Sequence, residues 1–167
     1  MTSATLSALQ QFPSQLRQLF DEVPREHWHW TPASWEGIPS EALDPVGQLC
    51  HVRDIEQLGY HVRFRRLLEE REPVLASLDT EALAVQQRYA EADPAQALTA
   101  FARAREHTMA LLQGLSTAQL QRRGSFDGYG EVTVQSLIHF LSSHDQQHLA
   151  GMQWLLGRIA SLGGSAH

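Results

Sequence analysis

The chain has 167 residues, of which 43% are hydrophobic and 8% aromatic, a composition that predicts one globular domain with a sizeable core. Its formal net charge of −6, without a basic cluster, argues against nucleic acid as a partner. All 13 basic residues are arginine, which excludes enzymes that depend on a Schiff-base lysine or a P-loop lysine.

Cys50 is the only cysteine, which excludes an intramolecular disulfide and a cysteine-rich zinc module. The sequence has neither a basic start followed by an apolar run nor 18 consecutive apolar residues, so a cytoplasmic protein without membrane association is expected. No internal repeat is present. A single domain is therefore predicted over residues 1–160, followed by a flexible tail at residues 161–167.

The first helix is predicted over residues 14–23, with residues 5–12 as an extension before Pro13. Residues 24–43 then hold three of the four tryptophans and three prolines. This Trp-rich loop is too irregular for a regular element and too apolar for a solvated loop. We expect it to fold back over the helices, where it either walls the mouth of a pocket or fills the end of the bundle.

The second helix begins after Asp44, an N-cap followed by a proline, and extends to about residue 70. Its inward stripe is predicted to consist of His51, Ile55, Leu58 and Val62. A weaker helical piece follows at residues 80–89.

The third helix repeats the cap-then-proline pattern at Asp93 and is predicted over residues 94–114. A short turn at residues 116–120 and a loop at residues 121–131 lead to Thr133, the predicted N-cap of a last helix that reaches residue 160. Four amphipathic helices without sustained strand-like alternation predict an all-α, antiparallel four-helix bundle.

Two histidines, His144 and His148, occupy the middle of the apolar stripe of the last helix. A spacing of four residues places them one turn apart and about 40° out of line, so both are expected to point inward. Two buried imidazoles without partners would cost several kcal/mol, roughly. Hydrogen bonds to carbonyls or buried water are one solution, and a metal ion is another.

His51 adds a third inward imidazole from a different helix, and one divalent ion would satisfy all three. The remaining histidines fit this arrangement less well. His139 and His61 are rotated away and are predicted to be packing or surface residues. Three others are predicted to be partly exposed rather than to line a pocket: His27, His29 and His107.

Six motifs follow one another along the chain: EHWHWTPASW, VGQLCHVRDIE, EPVLASLD, DPAQALTAFARAREHTMALLQGL, GYGEVTVQSLIHF and HDQQHLAGM. In this order they resemble the DinB-like metalloenzyme superfamily, and the resemblance covers most of the chain. The resemblance implies a helical bundle in which one histidine of the second helix and the two of a late H-x-x-x-H motif bind a divalent metal. Here these residues are His51, His144 and His148. Many members have Arg-Gln or Gly-Gln after the last ligand, where this chain has Ala150 and Gly151.

The resemblance also implies the cofactors and partners. Zinc or nickel is the expected metal, with iron or manganese as further choices, and a low-molecular-weight thiol is a second expected cofactor. The related proteins include bacillithiol S-transferases and mycothiol-dependent maleylpyruvate isomerase. A small-molecule substrate is therefore expected. Homodimers through the outer faces of the bundle are usual in the family.

Three neutral imidazoles would leave coordination positions open, where the metal would lower the pKa of a thiol or of water. The first hypothesis is therefore a metal-dependent enzyme, either a thiol-dependent S-transferase or a hydrolase, with no catalytic residue assigned. The alternative is a non-catalytic metal-binding or stress-response helical module.

The surroundings of the three histidines contain further candidates. Asp145, Asp54 and Glu56 either support the ligand imidazoles or are simply solvated. Cys50 points about 100° away from its neighbour His51 and is predicted to be a packing residue rather than a ligand.

Overall fold

The computed structural model describes residues 3–163 and contains seven α-helices and three short strands in that part of the chain. The helices are α1 Ser3–Asp21, α2 Pro45–Asp54, α3 His61–Glu69, α4 Thr80–Gln86, α5 Pro94–Gln113, α6 Thr117–Leu120 and α7 Val134–Gly163. The strands are β1 Val74–Leu75, β2 Arg123–Phe126 and β3 Gly130–Thr133. The predicted flexible tail lies, from residue 164 onward, outside the described residues.

Four long helical rods form the bundle: α1, α2 continued by α3, α5, and α7. Helix α1 packs on α5 and α7, and α2 packs on the same two helices, so the order around the bundle is α1–α5–α2–α7. The predicted all-α four-helix bundle is confirmed. Helix α1 continues through Pro13, which confirms the predicted extension over residues 5–12.

The helix starts follow the predicted caps. The side chains of Asp44, Asp93 and Thr133 each accept a hydrogen bond from the backbone amide three residues later. These bonds satisfy amides that have no partner within the helix. The cap at Asp44 also fixes where α2 begins, and with it the turn on which His51 lies.

The predicted inward stripe of the second helix is wrong beyond Ile55. Leu58 and Val62 are 42% and 36% exposed, whereas Tyr60 and Phe64 are buried. The cause is a π-helical segment, Ile55–Tyr60, which joins α2 to α3. A π-turn contains an extra residue, so every later side chain is rotated relative to the α-helical pattern.

The loop predicted at residues 121–131 is wrong in part, because β2 and β3 pair as an antiparallel hairpin and β1 pairs parallel with β2. Each strand has at most four residues, too few for alternation to stand out in the sequence. Gly128 and Gly130 have φ of +81° and +77° at the turn, a conformation that glycine adopts without strain. Phe126 and Val132 anchor the hairpin in the core.

Two apolar cores lie along the bundle, with buried polar side chains between them. One core contains Leu141 of α7 and Met109 of α5. The other core contains Met152 of α7 and Phe101 of α5. The polar residues between these positions are His144, Asp145 and His148 on α7 and Arg105 and Thr108 on α5. This polar layer crosses the bundle at the level of the histidines.

Arg105 is the centre of the polar layer. Its Nε and Nη2 donate to both carboxylate oxygens of Glu56 at 2.9 Å, and its Nη1 and Nη2 donate to those of Asp145 at 2.7 and 3.0 Å. Nη1 also donates to the carbonyl of Leu9 at 2.8 Å. That carbonyl lacks a helical donor, because Pro13 has no N–H to offer four residues later. All five N–H groups of the guanidinium are therefore used.

We predict that Arg105→Leu lowers the free energy of unfolding by about 3–5 kcal/mol, because it leaves the carboxylates of Glu56 and Asp145 buried without a cation. Urea denaturation of the metal-free protein measures the loss. Arg103→Leu is the matched control, since Arg103 lies on the same helix but is exposed, and it should change stability by less than about 0.5 kcal/mol. Equal losses in the two variants would contradict a central role for Arg105.

Candidate metal centre

Three imidazoles and one carboxylate converge in the polar layer. His51 comes from α2, His144 and His148 come from successive turns of α7, and Glu41 comes from the Trp-rich loop. The Nε2 atom of His144 lies 3.2 Å from that of His51 and 3.1 Å from that of His148. The Glu41 carboxylate lies 3.1 Å from His148 Nε2 and 3.5 Å from His51 Nε2. All four ligand atoms lie within 4.8 Å of one another.

Gln48 fixes the tautomer of His148. The Gln48 side-chain amide donates to the carbonyls of Glu41 and Leu43, at 2.9 and 3.2 Å, which identifies its other atom as the oxygen. That oxygen lies 2.5 Å from His148 Nδ1, so Nδ1 carries the proton and donates it. In the neutral ring, Nε2 then presents its lone pair to the cluster.

The electrostatics of the cluster favour neutral His51 and His144 rings beside an ionised Glu41 carboxylate. Burial, reinforced by the nearby charge of His148, lowers the pKa of His51 to about 4 and lowers that of His144 well below its usual value. Burial opposes the charge of Glu41, but its contact with His148 and the nearby His51 lower its pKa to about 2. At neutral pH, His51, His144 and Glu41 are thus in the protonation states that a metal requires.

A divalent cation fits this donor set better than hydrogen bonding alone. A lone pair of His148 faces the Glu41 carboxylate, and His144 Nε2 approaches two other imidazole nitrogens at once. One proton can bridge only one of these close pairs, whereas a cation attracts all four donors. Metal–nitrogen bonds of about 2.0–2.1 Å place two ligand nitrogens on one ion no more than about 4.2 Å apart. The spacings of 3.1 and 3.2 Å meet that limit.

The cluster opens to solvent on one side. His51 and His148 are fully buried, whereas His144 is partly accessible and the Glu41 side chain is 39% exposed. A cavity of about 250 Å³ adjoins Glu41 between the Trp-rich loop and α4. Glu41 is therefore the member of the cluster that borders a cavity.

Sequence reasoning brought together the three histidines but missed Glu41 and Gln48. Gln48 lies three residues before His51 and therefore on the same face of α2, a spacing that could have revealed it. Glu41 lies in a loop without periodicity, so no pattern in the sequence points to its position. The role of His51, His144 and His148 as metal ligands stays a prediction that rests on this geometry.

The carboxylates considered as partners of the ligand histidines have other partners. Asp54, Glu56 and Asp145 are all buried, so the expectation that they are solvated is wrong. Glu56 and Asp145 bind Arg105, and Asp54 forms a bidentate ion pair with Arg53 at 2.6 and 2.9 Å. Among the hydrogen bonds of residues 3–163, none joins these carboxylates to His51, His144 or His148.

The other singled-out residues lie largely where the sequence places them. His139 is exposed, and His61 is partly buried with its Nε2 within hydrogen-bonding distance of the carbonyl of Ala104 and the hydroxyl of Thr108. His27 is partly buried, and His29 and His107 are exposed. The prediction that His107 does not line a pocket is wrong, because it borders a surface cavity of about 340 Å³ together with His61. Cys50 packs in the core, and burial raises the pKa of its thiol to about 11.

The Trp-rich loop covers one end of the bundle. Trp28 packs against Phe20 with ring centroids 5.5 Å apart, and Trp35 stacks on Trp154 of α7 at 6.2 Å. Trp30 is also packed against this core. The tryptophans thus fill the end of the bundle, while the same loop delivers Glu41 to the histidines.

Comparison with known proteins agrees with the fold. The sequence profile of the DinB superfamily matches residues 8–152. The structure is similar to that of YfiT from Bacillus subtilis, with a TM-score of 0.82 and 18% sequence identity over 96% of this chain and 90% of that one. YfiT is described as a probable metal-dependent hydrolase with an unusual four-helix bundle topology. No curated protein matches the sequence.

Within residues 3–163, no helix combines the length and the apolar character needed to cross a bilayer.

We predict that His51→Ala, His144→Ala and His148→Ala each weaken divalent-metal binding by at least about 100-fold, because each removes one donor from the cluster. Isothermal titration with zinc, checked by metal analysis of untagged protein, measures the affinity. His139→Ala is the control, since His139 is exposed on the same helix as two of the proposed ligands. A loss of similar size in the control would show that the assay reports surface histidines.

Gly151 allows the Trp-rich loop to approach α7 closely, because it has no side chain where Ser40 of the loop meets the helix. A Cβ at residue 151 would overlap the hydroxyl of Ser40 and lie 2.9 Å from its Cβ. Gly151→Ala should therefore displace Ser40 and its neighbour Glu41, destabilising the protein by about 1–3 kcal/mol and weakening zinc binding. Urea denaturation and zinc titration measure the two effects.

Gly157→Ala is the matched control on the same helix. Nothing lies within 4 Å of the Cβ that it adds, so this variant should gain up to about 1 kcal/mol from better helix propensity and bind zinc normally. If Gly151→Ala behaved in the same way, the contact between loop and helix would not control the position of Glu41.

Proposed function

The chain belongs to the DinB superfamily, and from that premise we propose that it is a divalent-metal-dependent hydrolase acting on a small molecule. His51, His144 and His148 are its proposed metal ligands, with Glu41 beside them. The observation that carries the proposal is the convergence of three imidazole nitrogens and one carboxylate within 4.8 Å, with the Glu41 side chain 39% exposed. A purely structural metal site would be closed on all sides.

Zinc, nickel or iron suits a donor set dominated by imidazole, and zinc and nickel are our first choices. When bound, such an ion would polarise an electrophilic substrate group and lower the pKa of water or of a thiol at the open position. The donor set needs no cysteine, in keeping with the burial of Cys50.

The residues of the chain have distinct roles in this proposal. Gln48 orients the His148 ring and ties the Trp-rich loop to α2 through the carbonyls of Glu41 and Leu43. Glu41 supplies negative charge from the exposed side of the cluster and, as part of a loop, can move more readily than the helical ligands. The buried rings of His51 and His148 exclude water from the far side.

The alternative reaction at the same site is transfer of a low-molecular-weight thiol to an electrophilic substrate. The thiol would come from solution, because Cys50 is buried and its thiol has a raised pKa. Hydrolysis and thiol transfer differ in the nucleophile and not in the residues that hold the metal, so one assay can compare them.

We predict that activity depends on the metal and on His148. Untagged protein is stripped with chelator, reloaded with zinc, nickel, manganese or iron, and assayed on a panel of small esters and amides and on thiol–electrophile pairs. Reloaded protein should turn over at least one class well above free metal and above His148→Ala, and chelator should abolish the reaction. Chelator should also lower the melting temperature, since a ligand that binds only the folded chain stabilises it.

The same assay separates the alternatives. Turnover confined to thiol–electrophile pairs would replace hydrolysis by thiol transfer. Tight metal binding without turnover in either panel would favour a non-catalytic metal-binding module. Equal rates for the wild type and His148→Ala would contradict the proposed centre.

A further inference from the structure

Arg63 is a second buried arginine, and its surroundings differ sharply from those of Arg105. Its side chain is only 6% exposed. Among residues 3–163 it makes one hydrogen bond, from Nη2 to the carbonyl of Ala76 at 3.2 Å, and its Nε is buried with no acceptor. Within the same part of the chain, no carboxylate forms an ion pair with it. One of its five N–H groups thus has an acceptor within residues 3–163, and Nε, which is sealed from solvent, has none there.

Aromatic rings cover the faces of the guanidinium. Its Cζ lies 4.4 Å from the ring centroid of Phe126 and 5.3 Å from that of Tyr60. These cation–π contacts compensate part of the charge. They act on the planar faces, however, whereas the N–H groups point outward from the edge and still need acceptors.

A buried cation without a counter-ion is unfavourable, and burial lowers the pKa of the Arg63 guanidinium accordingly. Arg105, by contrast, is paired with two carboxylates and a backbone carbonyl of the same chain. The edge of the Arg63 guanidinium is thus a position where a negatively charged group would complete the hydrogen bonding.

We propose that Arg63 binds an oxyanion, the carboxylate or phosphate group of a small ligand, in a site walled by Tyr60 and Phe126. Both groups present paired oxygens that match the edge of a guanidinium. The position is connected to the metal cluster through Tyr60, whose ring centroid lies 6.4 Å from that of His144. The anion site does not require the metal, so a failure of the proposed hydrolase activity would leave it standing.

The test uses inorganic phosphate and acetate as separate probes, each titrated at constant ionic strength against chloride. In the wild type, at least one probe should shift the Nε resonance of Arg63 saturably and raise the melting temperature. Arg63→Met should bind that probe at least about tenfold more weakly. Arg65→Met, a substitution of an exposed arginine on the same helix, should bind it as the wild type does.

The two probes distinguish a phosphate ligand from a carboxylate ligand. An Nε resonance that neither anion shifts would overturn the proposal, and this measurement needs no variant to fold. Equal rises in melting temperature for the wild type and Arg63→Met would also overturn it, because stabilisation would then come from general exclusion of the salt.

Discussion

The guanidinium of Arg105 is the interaction on which the rest of the bundle depends. It contacts three other helical segments: α1 through the carbonyl of Leu9, the π-helical segment through Glu56 and α7 through Asp145. Burial opposes its charge, but Asp145 and Glu56 raise the pKa of Arg105 above its usual value, so it remains a cation. A wholly apolar layer of the same volume would tolerate sliding and rotation of the helices, whereas five directed hydrogen bonds fix one arrangement.

That arrangement sets the geometry of the candidate metal centre. Asp145 follows His144 directly on α7, so the ion pair with Arg105 fixes the rotation of the helix that presents His144 and His148. Glu56 lies at the start of the π-helical segment, five residues after His51, and ties α2 to the same guanidinium. The three imidazoles therefore converge because both helices that carry them are bound to one arginine, even though no ligand contacts it directly.

The sequence predicted those elements whose causes are local. Caps at Asp44, Asp93 and Thr133 placed the helix starts, and the four-residue spacing of His144 and His148 placed both rings on one face. The errors arise where distant residues decide the structure. The π-helical segment that exposes Leu58 cannot be read from a 3.6-residue period, and the partners of Asp145 and Glu56 depend on an arginine about 40 and 50 residues away in sequence. Glu41 joined the site for the same reason, through a loop that only tertiary packing positions, whereas Gln48 lies on α2 within one turn of His51.

The two buried arginines, Arg105 and Arg63, differ in the number of hydrogen-bond acceptors around the guanidinium. Arg105 is surrounded by acceptors and serves to order the bundle, while its aromatic contacts with Phe12 and Phe101 cover the faces of the guanidinium. Arg63 has similar aromatic cover but a single hydrogen-bond acceptor among residues 3–163. The aromatic contacts are thus common to both sites, and the number of acceptors alone distinguishes a satisfied structural cation from an unsatisfied one. A ligand oxyanion would supply the acceptor that the buried Nε of Arg63 lacks within residues 3–163.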